Sequence, residues 1–245
     1  MLEGMYTAAA GMAAQQTRLD AVANDLANVS TTGYKHVRVA FRDLVYTDSG
    51  PGGAPGVKLG AGSAARVLGR SLQQGDNQQT GRSLDVAISG PGYFQVKLSD
   101  GRAALTRDGN LRLDATGRMC LHTGELVEPP ITVPKGAQQE AIAIGADGTV
   151  TLDKKVLGKL RLVDVASPGN LEGGPDNTFL PSKASGPIRA AAPGTIVQQG
   201  MLEGSNVDAG DAMASMIESQ RAFELASKAI TTQDQVLEIA NGVKR

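Results

Sequence analysis

The sequence predicts an α+β protein whose N- and C-terminal helices pair as a coiled-coil-like unit around a central antiparallel β-rich domain. Three observations predict it: helix-breaking residues avoid both ends, both ends carry heptad patterns, and the middle alternates polar with apolar residues. All 11 prolines lie between Pro51 and Pro193. Because a proline costs about 3 kcal/mol inside a helix and a glycine about 1 kcal/mol, this distribution favours helices at the two ends only.

The N-terminal segment has the pattern of an amphipathic helix. Apolar residues recur there every seven positions, at Met5, Met12, Leu19 and Leu26. A second row follows three places on, at Ala8, Gln15, Val22 and Val29, with Gln15 as its polar exception. These two rows correspond to the a and d positions of a coiled coil. The run from Ser30 to Gly33 is a helix stop.

The C-terminal segment repeats this arrangement. Its heptad row consists of Met216, Phe223, Ile230 and Leu237. Either Asn206 or Asp208 is suited to cap the start of the helix, and Lys244 and Arg245 suit the negative pole at its end. Two amphipathic helices at opposite ends of one chain most simply bury their apolar rows against each other.

The middle of the chain reads as a succession of short strands. Three Asp-Gly pairs, at Asp100, Asp108 and Asp147, are hairpin signals between them. The predicted strands are Asp85–Ser89, Tyr93–Leu98, Leu111–Leu113, Ile131–Val133, Ile142–Ile144, Thr149–Leu152 and Leu157–Val165. The glycine- and proline-rich stretch Asp48–Gly62 cannot bury a core and is interpreted as a flexible connector or as a loop that becomes ordered on assembly. The predicted domain boundaries are 1–33 for the N-terminal helix, 34–80 for an extended connector and flexible loop, 81–200 for the β-rich domain and 201–245 for the C-terminal helix.

Composition excludes several classes of protein. Lys and Arg total 24 against 25 Asp and Glu, so no basic surface predicts binding to nucleic acid. No apolar run is long enough for direct insertion into a membrane, and charged residues interrupt the N-terminus, so we expect no cleaved signal peptide. The single cysteine, Cys120, excludes an intrachain disulfide.

No constellation of side chains predicts catalysis. Cys120 and His122 are two residues apart on a predicted strand, but a zinc site needs three or four ligands. The remaining histidine, His36, follows the Gly33 turn. We therefore expect no catalytic residues, no cofactor and no metal site.

Three separated blocks resemble the flagellar rod and hook family of axial proteins. The first runs from Ala23 to Lys35 and contains an Asn-Asp-Leu-Ala-Asn core, in which Asp25 replaces the more usual second asparagine. The second comprises Leu84–Ile88, Gly92–Phe94 and Thr106–Gly109, and the third comprises Glu203–Asp208 and Met216–Glu224. The likeness covers nearly the whole chain. It is greatest to the distal rod members, with the proximal rod members as the alternative.

The resemblance implies a structural subunit of the basal-body rod that assembles into a hollow, helical drive shaft between motor and hook. It implies self-association, contacts with other rod and hook proteins and with the rings around the rod, and export through the flagellar type III apparatus to a periplasm-spanning rod. We expect the assembly interface to include Met5, Met12, Leu19, Val22, Leu26, Asn28, Met216, Phe223, Ile230 and Leu237. The alternatives from other classes are a soluble β-rich enzyme and an adhesin module, each with a helical hairpin.

Overall fold

The structure, a computed structural model, describes residues 2–44, 47–48 and 58–242. It contains two helices, α1 (Leu2–Ala27) and α2 (Ala209–Gly242), and short strands between them. In chain order the strands are β1 (Val37–Asp43), β2 (Thr47–Asp48), β3 (Lys58–Leu59), β4 (Ser63–Arg70), β5 (Asn77–Gln79), β6 (Val86–Ser89), β7 (Tyr93–Lys97), β8 (Ala103–Thr106), β9 (Leu111–Leu113), β10 (Met119–Leu121), β11 (Leu126–Val127), β12 (Ile142–Ile144), β13 (Thr149–Leu152), β14 (Lys155–Lys159), β15 (Leu162–Asp164), β16 (Glu172–Gly173), β17 (Phe179–Leu180), β18 (Arg189–Ala190), β19 (Ile196–Gln199) and β20 (Met201–Glu203). Short 3₁₀ turns lie at Gln139–Ala141 and Pro168–Asn170.

The chain divides into two compact units. The helical unit comprises residues 1–27, 37–68 and 208–245, and the β unit comprises residues 28–36 and 69–207. The predicted fold class, α+β with a helix at each end and an antiparallel β-rich middle, is confirmed.

Local signals explain where the helices begin and end. Helix α1 ends at Ala27, and the chain turns as the N–H of Thr31 donates to the carbonyl of Asn28. Helix α2 is capped by Asp208, whose Oδ1 accepts from the N–H groups of Gly210 (2.7 Å) and Asp211 (3.0 Å). Asp208 rather than Asn206 is therefore the cap. The basic residues expected at the end of α2, Lys244 and Arg245, lie outside the described residues.

In the helical unit the two helices pack antiparallel, and a two-stranded ribbon of β1 and β4 packs along α1. The ribbon is antiparallel, since Ser71 N–H donates to the carbonyl of His36 and Leu44 N–H to that of Gly62, both at 2.9 Å. The segment interpreted as a connector thus contains paired strands. Most of Asp48–Gly62 lies outside the described residues.

The β unit consists of antiparallel pairings around one main apolar core. Within the described residues, its largest sheet has the order β16-β17-β8-β7-β11-β10-β9, with β15 joining β7 and β18. A three-stranded sheet β12-β13-β14 and the pairs β19-β6 and β20-β5 complete the unit. The largest side chains of the core belong to Ile88, Phe94, Leu111, Met119, Leu121, Ile131, Ile142 and Leu160.

Two of the predicted strands were wrong in detail. Leu157–Val165 is interrupted, because β14 pairs with β13 and β15 pairs with β7 and β18, so the chain passes between two sheets around the buried Leu160. Ile131–Val133 forms only a single bridge, between Thr132 and Arg118. Flanking Pro130 and Pro134 have no N–H to extend the ladder.

The hairpin signals are only partly correct. Asp100-Gly101 joins the paired strands β7 and β8, and Asp147-Gly148 joins β12 and β13. Asp108-Gly109 does not form a hairpin, because β8 pairs with β7 and β17 whereas β9 pairs with β10. At Gly109 a Cβ would lie 1.6 Å from the carbonyl oxygen of Val86. This glycine therefore serves a close backbone approach rather than a hairpin turn.

Candidate functional site

The predicted interface residues occupy half-buried positions. Nine of them lie on the two helices, and Asn28 lies in the turn that follows α1, where its Oδ1 accepts from the Thr31 hydroxyl at 3.1 Å. The nine half-buried helix residues are Met5, Met12, Leu19, Val22, Leu26, Met216, Phe223, Ile230 and Leu237. Since each retains some exposed surface, pairing of the helices within one chain does not bury them completely.

Two contacts mark the seam, the line along which α1 and α2 pack against each other. A Cβ at Gly4 would lie 3.3 Å from Oε1 of Gln233, and Arg18 forms an ion pair of 2.9 Å with Glu218. The buried helix positions are Ala14, Asp25 and Ser219, of which Ala14 and Ser219 carry small side chains. Small residues permit the close approach of two helices that the alanine-rich sequence of α1 predicts.

A second apolar surface lies outside the heptad rows, and the sequence reasoning missed it. It is formed by exposed residues that recur along the outer side of α2. Its members are Met213, Ile217, Leu225, Val236 and Ile239, each about half exposed or more. We call these five residues the outer apolar surface. The sequence signal for it was the number of large apolar residues in α2 that fit neither heptad row.

The β unit contains a buried ion cluster formed by one residue from each resemblance block. Glu203 has no exposed side-chain surface, and its Oε1 accepts from Lys35 Nζ at 2.5 Å while its Oε2 accepts from Arg107 at 3.1 Å. Lys35 also donates to the carbonyl of Gln73, and Arg107 donates to that of Gly90 and lies 5.3 Å above the ring of Tyr93. Two cations thus share one carboxylate away from solvent.

Burial of the cluster and the charges within it shift the pKa values of Lys35 and Tyr93. Burial lowers the pKa of Lys35 below its ordinary value, its bond to Glu203 opposes that change, and the charge of Arg107 adds to the lowering. Burial likewise raises the pKa of Tyr93, which the charge of Arg107 opposes. The cluster links chain segments that are far apart in the sequence.

The segment held by the cluster, residues 31–36, is bonded at nearly every position. Gly33 N–H donates to the carbonyl of Glu203 at 2.8 Å, and the Thr32 hydroxyl donates to Asp108 at 2.7 Å. Gly33 has φ +66°, and a Cβ there would lie 2.6 Å from the carbonyl carbon of Arg107. His36 N–H donates to Oδ1 of Asn206. The Thr-Gly-Tyr-Lys run, residues 32–35, is therefore held against the rest of the β unit, and the left-handed backbone and close contact at Gly33 favour glycine there.

The remaining candidate residues of the sequence analysis do not form a site together. Cys120 is buried and contacts the carbonyl of Arg112, whereas the side chain of His122 is half exposed and its Nδ1 lies 3.0 Å from Asp108. Within residues 2–44, 47–48 and 58–242, no three His, Cys, Asp or Glu side chains are grouped as metal ligands. No helix in the same ranges is long and apolar enough to cross a membrane.

Comparisons with known proteins agree with the three resemblance blocks. Residues 5–35 match the family model described as "Flagella basal body rod protein", residues 87–152 that of the "Flagellar hook protein FlgE/F/G D1 domain", and residues 198–243 that of the "Flagellar basal body rod FlgEFG protein C-terminal". The chain is 36% identical to the flagellar basal-body rod protein FlgG of Borreliella burgdorferi and to that of Bacillus subtilis, with 100% of each chain covered in both comparisons. It is 34% identical to the rod protein FlgF of Escherichia coli, over 96% of this chain and 95% of the relative.

Proposed function

This chain belongs to the flagellar basal-body rod protein family, and we propose from that membership that its copies polymerise helically into a hollow shaft that transmits torque from motor to hook. It is a structural rod subunit of the flagellar basal body. The resemblance to FlgG relatives over the full length supports a place among the distal rod proteins. The proposal requires no chemical reaction of the chain, only surfaces that fit neighbouring copies.

The observation that carries the proposal is the outer apolar surface. Several large apolar side chains exposed along one side of a single helix indicate a surface that binds a partner. Here Ile217, Leu225 and Ile239 occur on one helix whose opposite side already packs on α1. A surface of aliphatic side chains along a helix fits another helix, and a second copy supplies one.

The heptad rows have a further role in this proposal. Met5, Met12 and Met216 are half-buried, and the flexible methionine side chain adapts to neighbours of different shape. In a helical polymer each subunit meets several copies in non-identical ways. We therefore propose that the half-buried row from Met5 to Leu26 and the row from Met216 to Leu237 line the inner tube, where neighbouring copies complete their burial.

The partners and location follow from the family as proposals. They are other rod and hook proteins, the rings that surround the rod, and the flagellar type III export apparatus. The rod spans the periplasm, and the chain is exported to it without cleavage of a signal peptide. The subunit is proposed to have no enzymatic activity, since a shaft works by the fit and stiffness of its surfaces.

Electron microscopy of the purified chain at increasing protein concentration tests the proposal. We expect helical polymers of uniform diameter with a central channel above a critical concentration. A Leu225→Ser, Ile239→Ser double variant removes two members of the outer apolar surface without changing the seam between the helices. We expect this variant to stay monomeric under the conditions in which the wild-type chain polymerises. A wild-type chain that remains monomeric at every concentration would contradict the proposal.

A further inference from the structure

The ribbon of β1 and β4 has two chemically different faces. Arg38 and Arg42 lie four residues apart on β1, and because successive side chains of a strand alternate between faces, they share one face of the ribbon. Arg66 lies on the paired strand β4. We call the surface formed by these three residues the arginine face. All three arginines are exposed.

The opposite face of the ribbon is turned toward α1. Val37 N–H donates to Asp25 at 3.0 Å, and the guanidinium of Arg18 lies 6.0 Å from the ring of Phe41. Val37 and Phe41 belong to the face that alternates with the arginines. The arginine face is consequently the outer face of the ribbon in the helical unit.

Among the residues that the structure describes, the three arginines have no acidic partner, since no carboxylate forms an ion pair with Arg38, Arg42 or Arg66. Three like charges within about 13 Å of strand repel one another. A partner surface carrying negative charges would relieve this repulsion.

Helix α2 carries a matching acidic flank. Its residues Ala209–Gly242 include five carboxylates and two cations, a net charge of −3 (2 − 5). At 100° per residue, Glu224, Asp234 and Glu238 lie within an arc of about 80°. All three are exposed, and the described part of the chain pairs none of them with a cation. Lys228 is at the edge of this flank, one turn from Glu224. The three carboxylates extend along about 21 Å of the helix axis, the same order of length as the arginine face.

We propose that the arginine face of the ribbon in one copy binds the acidic flank of α2 in the next copy. The proposal rests on the proposed function, since it names the surfaces through which copies meet. Two complementary patches on different faces of one chain make a heterologous contact, and such a contact repeats without closing unless the rotation happens to form a ring. An open helical filament is the result. The near-neutral charge of the whole chain disfavours a polyanion such as nucleic acid as the occupant.

Charge reversal in both surfaces tests this contact. One variant carries Arg38→Glu, Arg42→Glu and Arg66→Glu, and the other carries Glu224→Lys, Asp234→Lys and Glu238→Lys. Each exposed ion pair changes an equilibrium constant by up to about five-fold, so we expect either variant alone to raise the critical concentration for polymerisation roughly a hundred-fold. An equimolar mixture should polymerise near the wild-type concentration, because the acidic ribbon of one variant then meets the basic helix of the other. Sedimentation across a concentration series measures all three.

The matched control reverses two exposed arginines of the β unit, Arg112→Glu and Arg161→Glu, and should polymerise as the wild-type chain does. Thermal unfolding checks that every variant folds. A reversed variant that is folded and polymerises at the wild-type concentration would overturn the contact and leave the proposed function standing. A mixture that stays monomeric while the wild-type chain polymerises would also overturn it. Failure of the wild-type chain to polymerise would overturn the proposed function itself.

Discussion

At the scale of single residues, the buried cluster of Glu203, Lys35 and Arg107 is the feature that the sequence concealed most completely. All three residues stand in blocks that marked the family resemblance, yet Lys35 and Glu203 are 168 positions apart and Arg107 is 96 positions from Glu203. Composition and periodicity carry no information about pairs so distant. The glycine of the same segment, Gly33, was predicted as a helix stop, whereas its close approach to Arg107 became visible only in the fold.

The lowered pKa of Lys35 makes a pH-dependent prediction. Above that lowered pKa and up to the ordinary value of 10.5, the unfolded chain binds a proton that the folded chain has lost, so the free energy of unfolding should rise with pH in this window. Lys35→Met should abolish the rise attributable to this group. Urea unfolding at several pH values between about 7 and about 9, below the range in which a tyrosine of ordinary pKa titrates in the unfolded chain, measures it. Lys183→Met, at an exposed site, is the control and should keep the wild-type slope. An unchanged slope in Lys35→Met would contradict the assignment.

At the scale of elements, the helices were the most predictable parts of the chain. Heptad spacing and the exclusion of proline act locally, and α1 and α2 follow them closely. The strands of the middle were predictable in kind but not in number or pairing, as the interrupted run around Leu160 shows. The ribbon of β1 and β4 was not recognised at all, because its strands are separated by the glycine-rich stretch and their amphipathic character depends on α1.

The prediction at this scale concerns a charge placed in the seam between the helices. Leu19→Asp or Ile230→Asp places a carboxylate in a half-buried apolar row, which should destabilise the helix pair by about 2 kcal/mol or more unless the group is neutralised. We expect loss of motility in cells whose only copy of the rod protein carries either variant, while the β unit stays folded. Thermal unfolding of the purified chain and a motility assay measure the two effects.

Ala13→Asp is the control for the seam, since Ala13 is exposed on the same helix and the change should alter stability by no more than about 0.5 kcal/mol. A motile strain that carries Leu19→Asp would show that this row is not used in assembly.

At the scale of the whole molecule, the sequence predicted the class of fold and the family. The distribution of proline and glycine separates helical ends from a β-rich middle, and that separation is the fold class. The structure shows in addition that residues 28–36 belong to the β unit and residues 37–68 to the helical unit. This alternation of the chain between the two units depends on contacts between residues far apart in the sequence, like those of Glu203. A local sequence pattern carries no information about such contacts.

The central claim is that α1 and α2 complete their packing only between copies. Hydrogen exchange of the amides in residues 2–27 and 209–242, measured on the same chain before and after polymerisation, tests this claim most directly. Amides in helices with few buried contacts exchange through low-energy local opening. We expect fast exchange in both helices of the monomer, slowing of roughly a hundred-fold or more in the polymer, and little change in the core strands β6 and β7. Equal protection of the helices in monomer and polymer would contradict the account.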